Sequence, residues 1–137
     1  MHYRLLFAGA LMLSGCSQTL STPVSTRTSA SPEGTFACVK QQLAALGFKQ
    51  SSIDVDARRI NGTKIDLKSR RSDTQFRRLL DKLEVEVSAQ ADGQTGIEVR
   101  PHTFAEYTTQ RGPTEVEEKA SDEVTTASQQ LLERCRG

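Results

Sequence analysis

The sequence predicts an α+β domain: a four-stranded antiparallel sheet with N- and C-terminal helices packed on one face. The expected order is helix, strand, strand, short helix, strand, strand, helix. Three observations carry this. Apolar residues recur at helical spacing at both ends of residues 35–137, in Phe36, Val39, Leu43 and Leu46 and again in Val116, Ala120, Val124, Ala127, Leu131 and Cys135. Between them apolar residues fall on every second position, as in Ile53, Val55, Ala57 and in Leu83, Val85, Val87. Turn formers, Asn61-Gly62 and Asp92-Gly93, divide the alternating runs.

The chain opens differently. Residues 5–13 are apolar or small and follow Arg4, which is the shape of a secretory signal. The run is too short to span a bilayer, which takes roughly 18–20 residues. It ends on Leu13-Ser14-Gly15-Cys16, which resembles the lipobox of bacterial lipoprotein precursors. The resemblance implies a signal peptide over 1–15, lipid on the Cys16 sulfur, and acylation of the new amino terminus. Several acyl chains anchor stably where one does not. Ser17 stands where Asp would signal inner-membrane retention in that family. The implied address is the periplasmic side of the outer membrane in a two-membrane cell, or otherwise the outer face of the cell membrane.

Residues 17–34 hold nine Ser or Thr and two Pro among eighteen. Such a composition buries too little apolar surface to offset its ordering entropy. Residues 16–34 therefore read as the lipidated Cys and a flexible tether, with a reach on the order of 60 Å when fully extended. The folded domain is expected over 35–137.

The first helix runs through "TFACVKQQLAALGF", with Gly47 as its left-handed cap and Phe48 folding back onto it. Two strands follow, over Ile53–Ala57 and Thr63–Leu67. A three-residue loop, Ile60 to Gly62, pairs Ala57 with Ile65 and keeps both apolar sets on one face. Ser72 and Gln75 have capping-box spacing ahead of Phe76, Leu79, Leu80 and Leu83, so a short helix is expected there. Leu83–Ala91 and Ile97–Val99 form the next hairpin, with Val87 opposite Val99. Pro101, lacking a donor, marks an edge or a bulge. Thr114 and Glu117 form a capping box, so the last helix is expected to begin there.

With Cys16 lipidated, Cys38 and Cys135 remain. In an oxidising compartment an even pair reads as a disulfide, with two buried free thiols as the alternative. Closing a loop of roughly 97 residues contributes about 4–5 kcal/mol in the chain-entropy picture, and often less in practice.

No catalytic set stands out. His102 is the one His after the signal, which excludes a multi-His zinc centre. There is no glycine-rich phosphate loop and no nucleophile elbow. Glu84 and Glu86 alternate with apolar residues and read as the wet face of a strand. No metal or cofactor is expected. Nucleic acid is not an expected partner, because it needs aromatic platforms and the chain has no Trp.

Charge is segregated. Residues 58–82 hold nine Lys or Arg against three Asp, although the whole chain is balanced at eighteen basic to seventeen acidic residues. Arg70, Arg71, Arg77 and Arg78 are the candidate patch for anionic envelope ligands. The alternative is a solvated hairpin and loop. The leading expectation is a lipid-anchored module that binds another envelope protein, with an edge strand available for pairing. An anionic-ligand binder comes second. An enzyme built on His102 or paired carboxylates comes third.

Overall fold

Two helices lie on one face of a six-stranded antiparallel sheet, and the other face carries no covering element among the described residues. The computed structural model describes residues 19–137. The expected signal peptide over 1–15 and the expected lipidation site Cys16 lie outside them. In chain order the elements are β1 (Val24–Thr28), α1 (Pro32–Ala45), β2 (Lys49–Asp54), β3 (Arg59–Asp66), β4 (Phe76–Ala89), β5 (Thr95–Thr109), β6 (Gly112–Glu118) and α2 (Asp122–Cys135). The sheet order is β2-β3-β4-β5, and both β1 and β6 pair with the outer edge of β5.

The α+β class, with two helices packed on one face of the sheet, agrees with the sequence. In α1, Ser31 accepts a hydrogen bond from the Gly34 N–H at 3.1 Å and Pro32 opens the first turn. Gly47 takes φ +86°, the Phe48 N–H donates to the Leu43 carbonyl, and the Gly47 N–H donates to that of Ala44. This is a Schellman ending, and it tucks Phe48 into the core. Val39, Leu43 and Phe36 from α1, with Val124, Leu131 and Cys135 from α2, pack on Ile60, Leu83, Val85, Val87, Ile97 and Val99. The Cys38 and Cys135 sulfurs stand at disulfide distance, 2.12 Å, between the two helices.

The sheet differs from the expectation in having six strands instead of four. The first added strand, β1, lies within the stretch read as tether. Val24 to Thr28 pair in register with Val99 to Thr95, and Thr28 is buried. The ladder supplies backbone partners that composition does not report. The domain therefore starts before Thr35: the Ala120 N–H already donates to the Leu20 carbonyl.

The second, β6, occupies what reads as the start of the last helix. Gly112 at φ +109° closes a tight hairpin from Thr109, so Pro113 to Glu118 run back along β5. The helix starts instead at Ser121, whose Oγ accepts from the Val124 N–H. Val116, expected on the helix stripe, is exposed on the strand.

Residues 72–83 form no helix. Phe76 onwards belongs to β4, a 14-residue strand flanked on both sides by partners over most of its length. Two ladders outweigh a local helical spacing.

The β2–β3 turn is also displaced. It lies at Val55–Arg58, where the Asp54 Oδ1 accepts from the Ala57 N–H and Arg58 sits at φ +50°. Asn61-Gly62 lies inside β3, whose buried positions are Ile60 and Gly62. Ile53, Val55, Ile65 and Leu67, expected on the covered face, are exposed. α1 seats on Ile60 and Gly62, and Ile65, of the opposite parity, faces away. Gly62 is there because α1 ends on it: a Cβ would stand 2.9 Å from the Phe48 Cβ. Val87 pairs with Ile97, two residues from the expected register but on the expected face.

Pro101 falls at a change of partner. The outer edge of β5 pairs with β1 up to Val99 and with β6 from Thr103. The missing donor lies in the gap, where Ser21 Oγ donates to the Pro101 carbonyl.

Candidate functional site

The alternation that turns Leu83, Val85 and Val87 toward the helices turns Glu84 and Glu86 the other way. Register then arranges the uncovered face in cross-strand rows. The first row reads Asp54, Arg59, Glu86, Glu98, Ser25, and the second Ser52, Asn61, Glu84, Arg100. Thr63, Lys82 and His102 follow, then Ile65, Leu80, Phe104 and Glu117, then Arg78, Glu106 and Glu115.

The first two rows line a groove of about 490 Å³ that reaches from the edge strand β2 to β5. Its charged lining is Asp54, Glu84, Glu86 and Glu98 against Arg59 and Arg100, a surplus of two negative charges. Glu86 and Glu98 stand directly opposite each other across β4 and β5, a juxtaposition that by itself destabilises a sheet. Each has a neighbouring cation. Arg59 Nε lies 2.9 Å from Glu86 Oε2, and Arg100 NH2 lies 2.7 Å from Glu98 Oε1. The hydrogen bond from Arg100 to Glu98 raises the guanidinium above its ordinary value, and the charges of Glu84 and Glu86 add to this. Asp54 and Glu84 remain as the surplus.

His102 sits beyond the groove, with Nδ1 2.7 Å from Glu117 Oε1 and Nε2 3.6 Å from Glu84 Oε2. Next to it, Lys82 Nζ lies 2.7 Å from Glu115 Oε2 and 4.5 Å from the Phe104 ring centre. Among the described residues, no group of three or more His, Cys, Asp or Glu is arranged to hold a metal ion.

The four arginines of the candidate patch are distributed over different places. Arg77 stands in a bulge of β4 and Arg78 follows it, and the two flank the same buried carboxylate, Glu106, at 3.8 and 3.1 Å. Arg71 lies at the opposite side of the sheet. It forms a two-pronged pair with Glu118 at 2.5 and 2.6 Å, donates to Tyr107 Oη at 3.1 Å, and stacks 4.8 Å from the Phe76 ring centre. Arg70 donates to the Leu67 and Ser69 carbonyls of its own loop. Two of the four therefore share one anion, and the other two are held apart from them.

Sequence reasoning placed Glu84 and Glu86 on a wet strand face but did not single out Asp54, Arg59, Asn61, Glu98 or Arg100. The available signal was the same period of two, read for its polar positions, but their juxtaposition depends on register. No protein-family model matches the chain, and comparison with curated proteins finds no significant match.

Proposed function

We propose that this chain is a lipid-anchored module of the bacterial cell envelope that docks another envelope protein on the uncovered face of its sheet. The observation that carries the reading is the one-sided cover: both helices pack on one face, and the other presents a groove beside an edge strand whose six residues are all exposed. Unpaired strand edges and concave polar surfaces beside them are places where extended segments dock. The lipobox resemblance at Leu13–Cys16 supplies the anchor and the compartment. The dispersal of Arg70, Arg71, Arg77 and Arg78 favours this reading over an anionic-ligand patch.

The test is crosslinking in living cells with full-length protein carrying a photoreactive residue at Ser52 or Asn61 in the groove, or at Gln129 on the exposed side of α2. Capture of one defined protein from the groove positions and not from Gln129 is expected, with loss of capture when Cys16→Ala removes the anchor. Equal capture from all three positions, or none, refutes the reading.

A further inference from the structure

Resting on that docking reading, we infer that the groove takes an extended, cationic segment of the partner protein, laid across the strands from β2 toward β5. Charge complementarity selects the occupant. The groove carries two more carboxylates than guanidinium groups, and Glu86 faces Glu98 directly across the ladder. Arg59 and Arg100 each offset one of those two carboxylates, and the remaining surplus of Asp54 and Glu84 beside them is what an entering Lys or Arg would complement. An anionic occupant meets the opposite: it adds to the surplus, and Arg70, Arg71, Arg77 and Arg78 lie outside the lining.

Dimensions agree with an extended chain. From β2 to β5 the groove crosses three inter-strand spacings of ~4.8 Å, about 14 Å in all. Four or five extended residues cover that length. Alternate side chains of such a segment point to the sheet, so two cations reach the rows that hold Glu84, Glu86 and Glu98. Ser52 and Asn61 add neutral polar groups along the same path.

The probe is a labelled decapeptide of alternating Lys and Thr, titrated by fluorescence anisotropy against the full-length protein in detergent. Decapeptides with Glu or Ser in place of Lys serve for comparison. The Lys peptide is expected to bind saturably and to weaken as ionic strength rises. The double variant Glu84→Gln/Glu98→Gln is expected to lower its affinity about tenfold, from two exposed charge pairs. Glu123→Gln, at the start of α2, is expected to leave affinity unchanged, and an unchanged thermal melt shows that each variant is folded. Equal binding of the Glu peptide, or Lys-peptide affinity that survives the double variant, overturns the inference. So does no binding of the Lys peptide. If the Ser52 and Asn61 crosslinks persist in cells with the double variant, the cationic segment falls and the docking reading stands. If those crosslinks are absent in the wild type as well, both fall.

Discussion

Replacing Gly62 by Ala tests how α1 is seated on the sheet. The added Cβ would stand 2.9 Å from the Phe48 Cβ and 3.4 Å from Leu43 Cδ2. Carbon contacts are ordinarily ~3.5–4.0 Å. Rotation of the Phe48 ring gives no relief, because the closest atom is its Cβ, held by the backbone of the Schellman turn. Either the end of α1 lifts or β3 bows. Overpacking of this kind costs ~1–3 kcal/mol. The Gly→Ala change returns ~0.4–1 kcal/mol by restricting the unfolded chain. The net loss is about 1–2 kcal/mol, a fall in Tm of about 4–8 °C for a domain of this size. Thermal and urea unfolding of the full chain, followed by circular dichroism, reads it. The companion variant is Arg58→Gly. Arg58 sits at φ +50°, so glycine relieves backbone strain of ~1 kcal/mol or more, partly offset by chain entropy and by loss of the exposed pair with Glu33. That variant is expected to be neutral to stabilising. If Asn61-Gly62 formed the hairpin turn, Arg58 would need no left-handed conformation and its replacement by glycine would destabilise. Unchanged stability in Gly62→Ala together with destabilisation in Arg58→Gly refutes the seating of α1 on β3.

Reduction of the Cys38–Cys135 pair, 97 residues apart in sequence, removes a large loop constraint and is expected to lower Tm by ten degrees or more; an unshifted melt with two titratable thiols in the native domain refutes it. Asp81 is buried and accepts from Thr103 Oγ1 at 2.6 Å and from Ser121 Oγ, the cap of α2. Asp81→Ala leaves those hydroxyls without their acceptor and is expected to cost about 2–4 kcal/mol in urea unfolding, with Asp81→Asn costing less; equal costs refute the hydrogen-bonding role. The hydrogen bonds from Arg71 hold the Glu118 carboxyl below its ordinary value of 4.5. A group lowered in the folded state contributes stability above its unfolded value and loses it as pH falls through the folded one. Wild type is therefore expected to exceed Glu118→Gln in stability by up to ~1 kcal/mol at neutral pH, as suits a part-exposed pair, and the gap should close on acidification. A gap that is constant with pH refutes the assignment.

The class of the domain, the presence of both helices and the face that β4 and β5 bury were legible in the sequence, because each follows from a repeat in side-chain polarity. The same repeat assigned Ile53, Val55, Ile65 and Leu67 to the covered face, but the structure leaves them exposed. Phe36, Val39 and Leu43 share one side of a helix whatever they pack against, and Gly47 caps it through its own backbone freedom. Cys38 and Cys135, which stand at disulfide distance, were expected to pair once the lipobox resemblance set Cys16 aside. Other features needed the tertiary structure. A strand such as β1 or β6 is stabilised by its ladder on β5, and backbone hydrogen bonds are blind to composition; a Ser/Thr-rich stretch and a helix-like acidic stretch both became strands. Asn61-Gly62 carries the strongest local turn signal, yet the close approach of Phe48 requires that glycine inside a strand. The groove follows the same logic. Period two assigns Glu84, Glu86, Glu98 and Arg100 to a solvent face, but only register places two carboxylates opposite each other and sends Arg71 and Arg78 elsewhere. Side-chain periodicity is local and survives in one dimension; the partner a strand finds is set by the edge available when the chain closes on itself.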